Sequence, residues 1–129
     1  MPKKTSLVLL TVDAAGVLEP VQPVRAEPGS TLLIIMSNEH ATDDFKIEVK
    51  DFKRKETMTP ALPLVGAASH YRRVNAGEID TVRVKTLPAA NFGGGQLFYT
   101  TYKYTVVVTN LTAATAPVPI DPELDVCPP

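Results

Sequence analysis

Hydrophobic and polar residues alternate with a two-residue period over most of this chain, and no segment sustains a helical period. The longest such run is Leu97–Asn110, LFYTTYKYTVVVTN, where Phe98, Tyr102, Tyr104, Val106 and Val108 alternate with Thr101, Lys103, Thr105 and Thr109. Aromatic and β-branched residues on one side and polar ones on the other predict a central strand with one face in a core and one in water. Phe45, Ile47 and Val49 alternate in the same way with Lys46, Glu48 and Lys50, and Val82 and Val84 with Arg83 and Lys85 in Ile79–Thr86. Ser6–Val12 and Thr31–Asn38 are apolar on both alternating sets, which predicts for the first a strand covered on both sides or lying at a sheet junction, and for the second a strand buried on both faces in mid-sheet. His70–Val74 reads as a brief strand, and Ile120, Leu124 and Val126 face one way in a last one.

Turn and breaker residues divide these runs. Asp13–Gly16, Glu27-Pro28-Gly29-Ser30 and Asn75-Ala76-Gly77 are turn signals, and Glu39–Asp44 is a polar loop. Val17–Glu27 carries Pro20 and Pro23, which cannot donate ladder hydrogen bonds, so any strand there belongs at a sheet edge. Lys53–Gly66, with Pro60 and Pro63, reads as a long crossing connection with room for one helical turn. Leu87–Gln96, with Gly93-Gly94-Gly95, is expected to be a mobile loop, and Leu111–Pro119 a further loop. Seven to nine short strands between turn signals predict an all-β Greek-key sandwich, cupredoxin-like or immunoglobulin-like.

Composition narrows the functional classes. The 129 residues fit a single β-sandwich domain, 1–129, large enough to bury a core without disulfides or metal. Thirteen Lys plus Arg against fourteen Asp plus Glu leave a net charge of −1, so no global field attracts nucleic acid or an anionic membrane. The single cysteine, Cys127, excludes an internal disulfide and says little about compartment. No window approaches the roughly 20 apolar residues of a membrane helix. Met1–Val12 has the outline of a secretory signal, but its apolar run is only Leu7–Leu10 with Val12, and Asp13 closes it. The expectation is a soluble chain without a signal peptide, of unknown localisation.

Two segments carry a family resemblance. Pro28-Gly29-Ser30-Thr31 leads into an apolar strand ending at Asn38, and a late strand reads Tyr102-Lys103-Tyr104-Thr105-Val106. Together they resemble the cupredoxin-type sandwich, in which a Pro-Gly turn opens such a strand and a late Tyr-x-Tyr/Phe-x-Cys strand delivers a copper thiolate. The resemblance implies a site of one thiolate and two imidazoles, usually with an axial methionine. Val106 stands where that cysteine would be, and Asn110–Pro119 contains no His, Met or Cys. The family's other histidine precedes the third core strand, where this chain has Asp43 and Asp44, with His40 three or four residues too early. The implied protein is a copper-free relative of the fold with no cofactor.

Other residues offer only isolated chemistry. His40 and His70 would be metal ligands if their loops met, with Asp43 and Asp44 completing a mixed copper or zinc site, but a site normally needs three or more protein ligands. Asp121, Glu123 and Asp125 fall on one face of a strand, in a straight row rather than a curved calcium loop. Cys127, before Pro128 and Pro129, has no cationic neighbour to activate it. Lys50, Lys53, Arg54, Lys55, Arg72 and Arg73 concentrate positive charge, but Asp51 and Glu56 are interleaved. Gly93–Gly95 lacks a phosphate-loop ending, Ser69-His70 lacks a nucleophile-elbow context, and Asn110-Leu111-Thr112 fits a glycosylation sequon. These observations predict a non-catalytic binding or assembly module. Its partner is another protein or a second copy, met through loops, an edge strand or the face bearing Tyr99, Thr101 and Val107. The alternative is a metal protein using His40, His70 and the nearby carboxylates.

Overall fold

A computed structural model describes residues 5–88 and 100–126. Within them the chain forms nine strands and no helix: β1 (Thr5–Val12), β2 (Val24–Ala26), β3 (Thr31–Asn38), β4 (Phe45–Arg54), β5 (His70–Val74), β6 (Ile79–Lys85), β7 (Thr100–Asn110), β8 (Val118–Ile120) and β9 (Glu123–Val126). They make a three-stranded sheet, β1-β3-β6, and a six-stranded sheet, β2-β9-β7-β4-β5 with β8 beside β7. The all-β two-sheet expectation is met.

The two-residue period sets the core. Val8, Leu10, Val12, Leu32, Ile34 and Met36 from one sheet face Phe45, Ile47, Val49, Tyr102, Tyr104 and Val106 from the other, all buried. Stacked sheets pack about 10 Å apart, so these two inner faces fill the space between them. β7 pairs with β4 along almost its whole length, Val106 opposite Val49 and Asn110 opposite Phe45. It is the central strand its pattern predicts, beginning at Thr100; Leu97, Phe98 and Tyr99 lie outside the described residues, as do Gly93–Gly95 and Cys127.

Several boundaries and faces differ from the sequence reading. β1 is not covered on both sides: Leu7 is 48% and Leu9 58% exposed, because they stand on the outer face of the small sheet, turned away from the other sheet. β3 does sit in mid-sheet, but Leu33 and Ile35 are only half-buried. β4 runs on through a bulge at Asp51 to Arg54, into the segment read as a connection. The helical turn after it is a single turn closed by the Met58 N–H donating to the Arg54 carbonyl at 2.8 Å. The last strand is two, because Asp121-Pro122 interrupts it and proline cannot donate to the ladder. β2 pairs only with β9, at the outer edge where a proline-flanked strand belongs.

Candidate functional site

The sequence-predicted ligands lie around one end of the sandwich, where β3 and β7 both finish in asparagine. Asn38 is 1% exposed. Its Nδ2 donates to the carbonyls of Asp43 at 2.8 Å and Val74 at 3.0 Å, while its Oδ1 accepts from the His40 N–H at 2.9 Å. One buried amide thus ties the polar loop after β3 to the end of β5.

His40 is spent on the same loop. Its Nδ1 accepts from the N–H groups of Asp43 at 2.9 Å and Thr42 at 3.2 Å, which places the ring proton on Nε2. Nε2 lies 3.8 Å from Asp43 Oδ2, beyond hydrogen-bond length. The ring packs on Phe45, centroids 5.9 Å apart, and Gly16 comes close to both. Gly16 has φ +81°, and a Cβ there would stand 3.2 Å from the Phe45 ring, so both the turn and the contact require glycine.

Asp43 and Asp44 point to different partners. Asp43 Oδ2 accepts from Asn110 Nδ2 and Oδ1 from the Thr42 hydroxyl, both at 2.9 Å. These bonds hold its carboxyl below the ordinary carboxylate range. Asp44 accepts from the Ala76 N–H and from Arg73, each at 3.0 Å, and is lowered by those two donors. Asn110 Oδ1 accepts from the N–H groups of Thr112 and Ala113, and the Thr112 hydroxyl accepts from the Asp44 N–H at 2.9 Å. The sequon side chains are therefore parts of this network. Sequence reading singled out Asn110 only as a sequon and missed its tie to Asp43, 67 residues away.

His70 does not join this cluster. It stands opposite Val49 on β5, four residues along β4 from the Phe45 end, or about 13 Å at the rise of a strand. Its Nε2 is buried without a hydrogen-bond partner among the described residues. Val106 is fully buried opposite Val49, the same distance from the pole. His40 and Asp43 are thus brought together, Asp44 is turned to Arg73, and His70 and Val106 lie elsewhere. Among the described residues no group of three or more His, Cys, Asp or Glu is arranged to hold a metal ion.

The remaining charged candidates are dispersed. Asp121, Glu123 and Asp125 each have their own partner: the Thr105 hydroxyl at 2.9 Å, Lys55 at 2.6 Å and the Thr101 hydroxyl at 2.7 Å. Arg72 pairs with Asp80 at 3.6 Å and Arg73 with Asp44 at 3.0 Å, which breaks up the basic concentration.

The two outer faces differ in character. That of the larger sheet carries Lys46, Glu48 and Lys50 beside Thr101, Lys103 and Thr105, and Val107 lies between Glu48 and Pro119. That of β1-β3-β6 carries Leu7, Leu9, Leu33, Ile35 and Ile79 as one patch, with Ile79 67% exposed. Beside it, residues 19–25 follow the edge of β1. The Glu19 N–H donates to the Thr11 carbonyl at 2.8 Å and the Ser6 hydroxyl to the Arg25 carbonyl at 2.9 Å. Between that segment and Leu7, Leu9 and Thr11 lies a groove of about 440 Å³.

No protein-family model and no curated protein sequence matches the chain. Among solved structures it is similar to a dithionite-reduced auracyanin from the photosynthetic bacterium Roseiflexus castenholzii, at TM-score 0.46 and 13% identity, covering 99% of this chain and 100% of that one. It is also similar to Fet3p, a multicopper oxidase that functions in iron import, at TM-score 0.42 and 7% identity, covering 98% of this chain but 28% of that one. At these scores neither likeness bears on what this chain binds or does. No helix among the described residues is long and apolar enough to cross a membrane.

Proposed function

We propose that this chain is a non-catalytic β-sandwich module that binds a partner through the outer face of β1-β3-β6. One observation carries the reading: Leu7, Leu9 and Ile79 are 48%, 58% and 67% exposed on a face they share with Leu33 and Ile35. A contiguous apolar patch rimmed by polar residues is the mark of an interaction surface. The polar pole supports the reading from the other side, since Asn38, His40, Asp43, Asp44 and Asn110 are engaged with one another and with neighbouring backbone.

Binding of an apolar fluorescent dye tests this. The folded protein is expected to bind the dye, and Leu9→Lys, which keeps the strand but charges the patch, is expected to reduce binding several-fold without lowering Tm by more than a few degrees. Dye binding that is absent, or unchanged in Leu9→Lys, overturns the reading.

A further inference from the structure

The outward residues of β1-β3-β6 form a regular grid. Strand register sets them in four rows: Thr5, Thr31 and Lys85; Leu7, Leu33 and Arg83; Leu9, Ile35 and Thr81; Thr11, Ser37 and Ile79. The two middle rows hold four of the five apolar residues, in the centre of the β1–β3 half. The only charges in the grid are Arg83 and Lys85, both on β6.

Resting on the module reading above, we infer that the occupant of this face is a second copy of the same chain, laid on it about a two-fold axis across the middle of β3. The symmetry of the grid argues for it. An axis perpendicular to the strands exchanges the two middle rows and the two outer rows. Leu7 then lies over Leu9 of the second copy, and Leu33 over Ile35. At the ends, Thr5 meets Thr11 and Thr31 meets Ser37. On β6 the Lys85 stem covers Ile79, and Arg83 lies over Thr81, so no charge faces a like charge. Apolar residues on β1 and β3 meet apolar ones and hydroxyls meet hydroxyls, which an unrelated partner would have to reproduce by its own sequence.

The area is sufficient for such a contact. Strands of eight residues at about 3.3 Å per residue, three of them about 4.8 Å apart, give a face roughly 26 Å by 14 Å. Two such faces cover about 730 Å² in projection and somewhat more when corrugated, which is the low end of the range and fits a weak, reversible interface. The groove beside β1 lies at the edge of the contact, over its own counterpart in the second copy. Its ledge, residues 19–25, carries Pro20 and Pro23, so a strand could not continue the ladder from that segment without losing donors. Contact through the face is thereby favoured over edge-to-edge extension.

Sedimentation velocity of the full chain from a few micromolar to about half a millimolar tests the inference. The expected result is a concentration-dependent monomer–dimer equilibrium with a dissociation constant on the order of tens of micromolar, consistent with an interface of this size. Leu9→Lys and, separately, Ile79→Lys are expected to weaken the dimer at least tenfold, whereas Val118→Lys, exposed on β8, leaves it unchanged. A monomer throughout, or a dimer indifferent to both face variants, overturns the second copy as occupant. A monomer whose face still binds the apolar dye defeats this inference while leaving the module reading standing; loss of both defeats the two together.

Discussion

Asn110 Nδ2 donates to Asp43 Oδ2 at 2.9 Å, joining the end of β7 to the loop after β3. That bond and the Thr42 hydroxyl lower the Asp43 carboxyl, as the Ala76 N–H and Arg73 lower Asp44. A carboxyl lowered in the folded state contributes stability that is present above the unfolded value and lost as the pH falls through the folded one. Stability should therefore be level near neutrality and decline once the pH drops below about 4, the ordinary aspartate value. Asn110→Ala should be less stable at pH 7, and the gap between it and the parent should narrow in acid. Urea unfolding from pH 7 to 2.5 measures this; two parallel curves would contradict the role given to Asn110.

The buried Asn38 amide is a stronger constraint, since it makes three hydrogen bonds to backbone groups at 1% exposure. Asn38→Ala should cost about 2–4 kcal/mol, because the carbonyls of Asp43 and Val74 lose a buried donor. Asn38→Asp should cost more at neutral pH, since it turns a carboxylate toward those same carbonyls. Thermal melts of the two variants rank them, and an Asn38→Asp protein more stable than Asn38→Ala at pH 7 would be the contrary outcome.

Tyr104 stacks on Phe52 with ring centroids 5.3 Å apart, and its hydroxyl is buried with no hydrogen-bond partner among the described residues. Burial pushes that hydroxyl up. A raised tyrosine keeps its stabilising contribution below the unfolded value, about 10, and loses it as the pH rises beyond. Tyr104→Phe should thus match the parent at pH 7 or exceed it by up to about 1 kcal/mol, and should resist alkaline unfolding better. Tyr104→Ala should cost about 3–5 kcal/mol. Denaturation of the three proteins at pH 7 and pH 11 separates these effects; a Phe variant destabilised at both would mean that the hydroxyl is satisfied.

What the sequence disclosed follows the range of the forces involved. The periods of β4 and β7 are local, and they predicted which of Phe45, Ile47, Val49, Tyr104 and Val106 enter the core. Leu7 and Leu9 were misplaced because a strand apolar on both faces does not reveal whether its outer face is covered by its own chain. That depends on which elements of the whole fold pack over the sheet, which β1 forms with a strand 26 residues later. The network around Asn38 and Asn110 was invisible for a related reason. Its bonds join residues up to 68 positions apart, and a single asparagine at a strand end carries no periodic signal. His40 and Asp43 were recognised as neighbours, but that His40 Nδ1 is already taken by backbone N–H groups could come only from the loop's geometry.

Val106 offers a direct test of how far the fold is from a copper site. It is fully buried and lies opposite Val49 on one neighbouring strand and Ile120 on the other. Cysteine is smaller and tolerated in cores, so Val106→Cys should fold with a loss of no more than about 1.5 kcal/mol. Copper(II) added to that variant should produce no intense thiolate-to-copper absorption. A trigonal site needs two imidazoles at the sulfur, and His40 is held at the Phe45 end of β4, about 13 Å along the strand, with Nδ1 occupied. His70, on the far side of Val49, would supply one nitrogen at most. Visible spectroscopy of the purified variant decides the matter: a strong band that disappears in Val106→Cys/His40→Ala would show that the pole can reorganise to reach position 106.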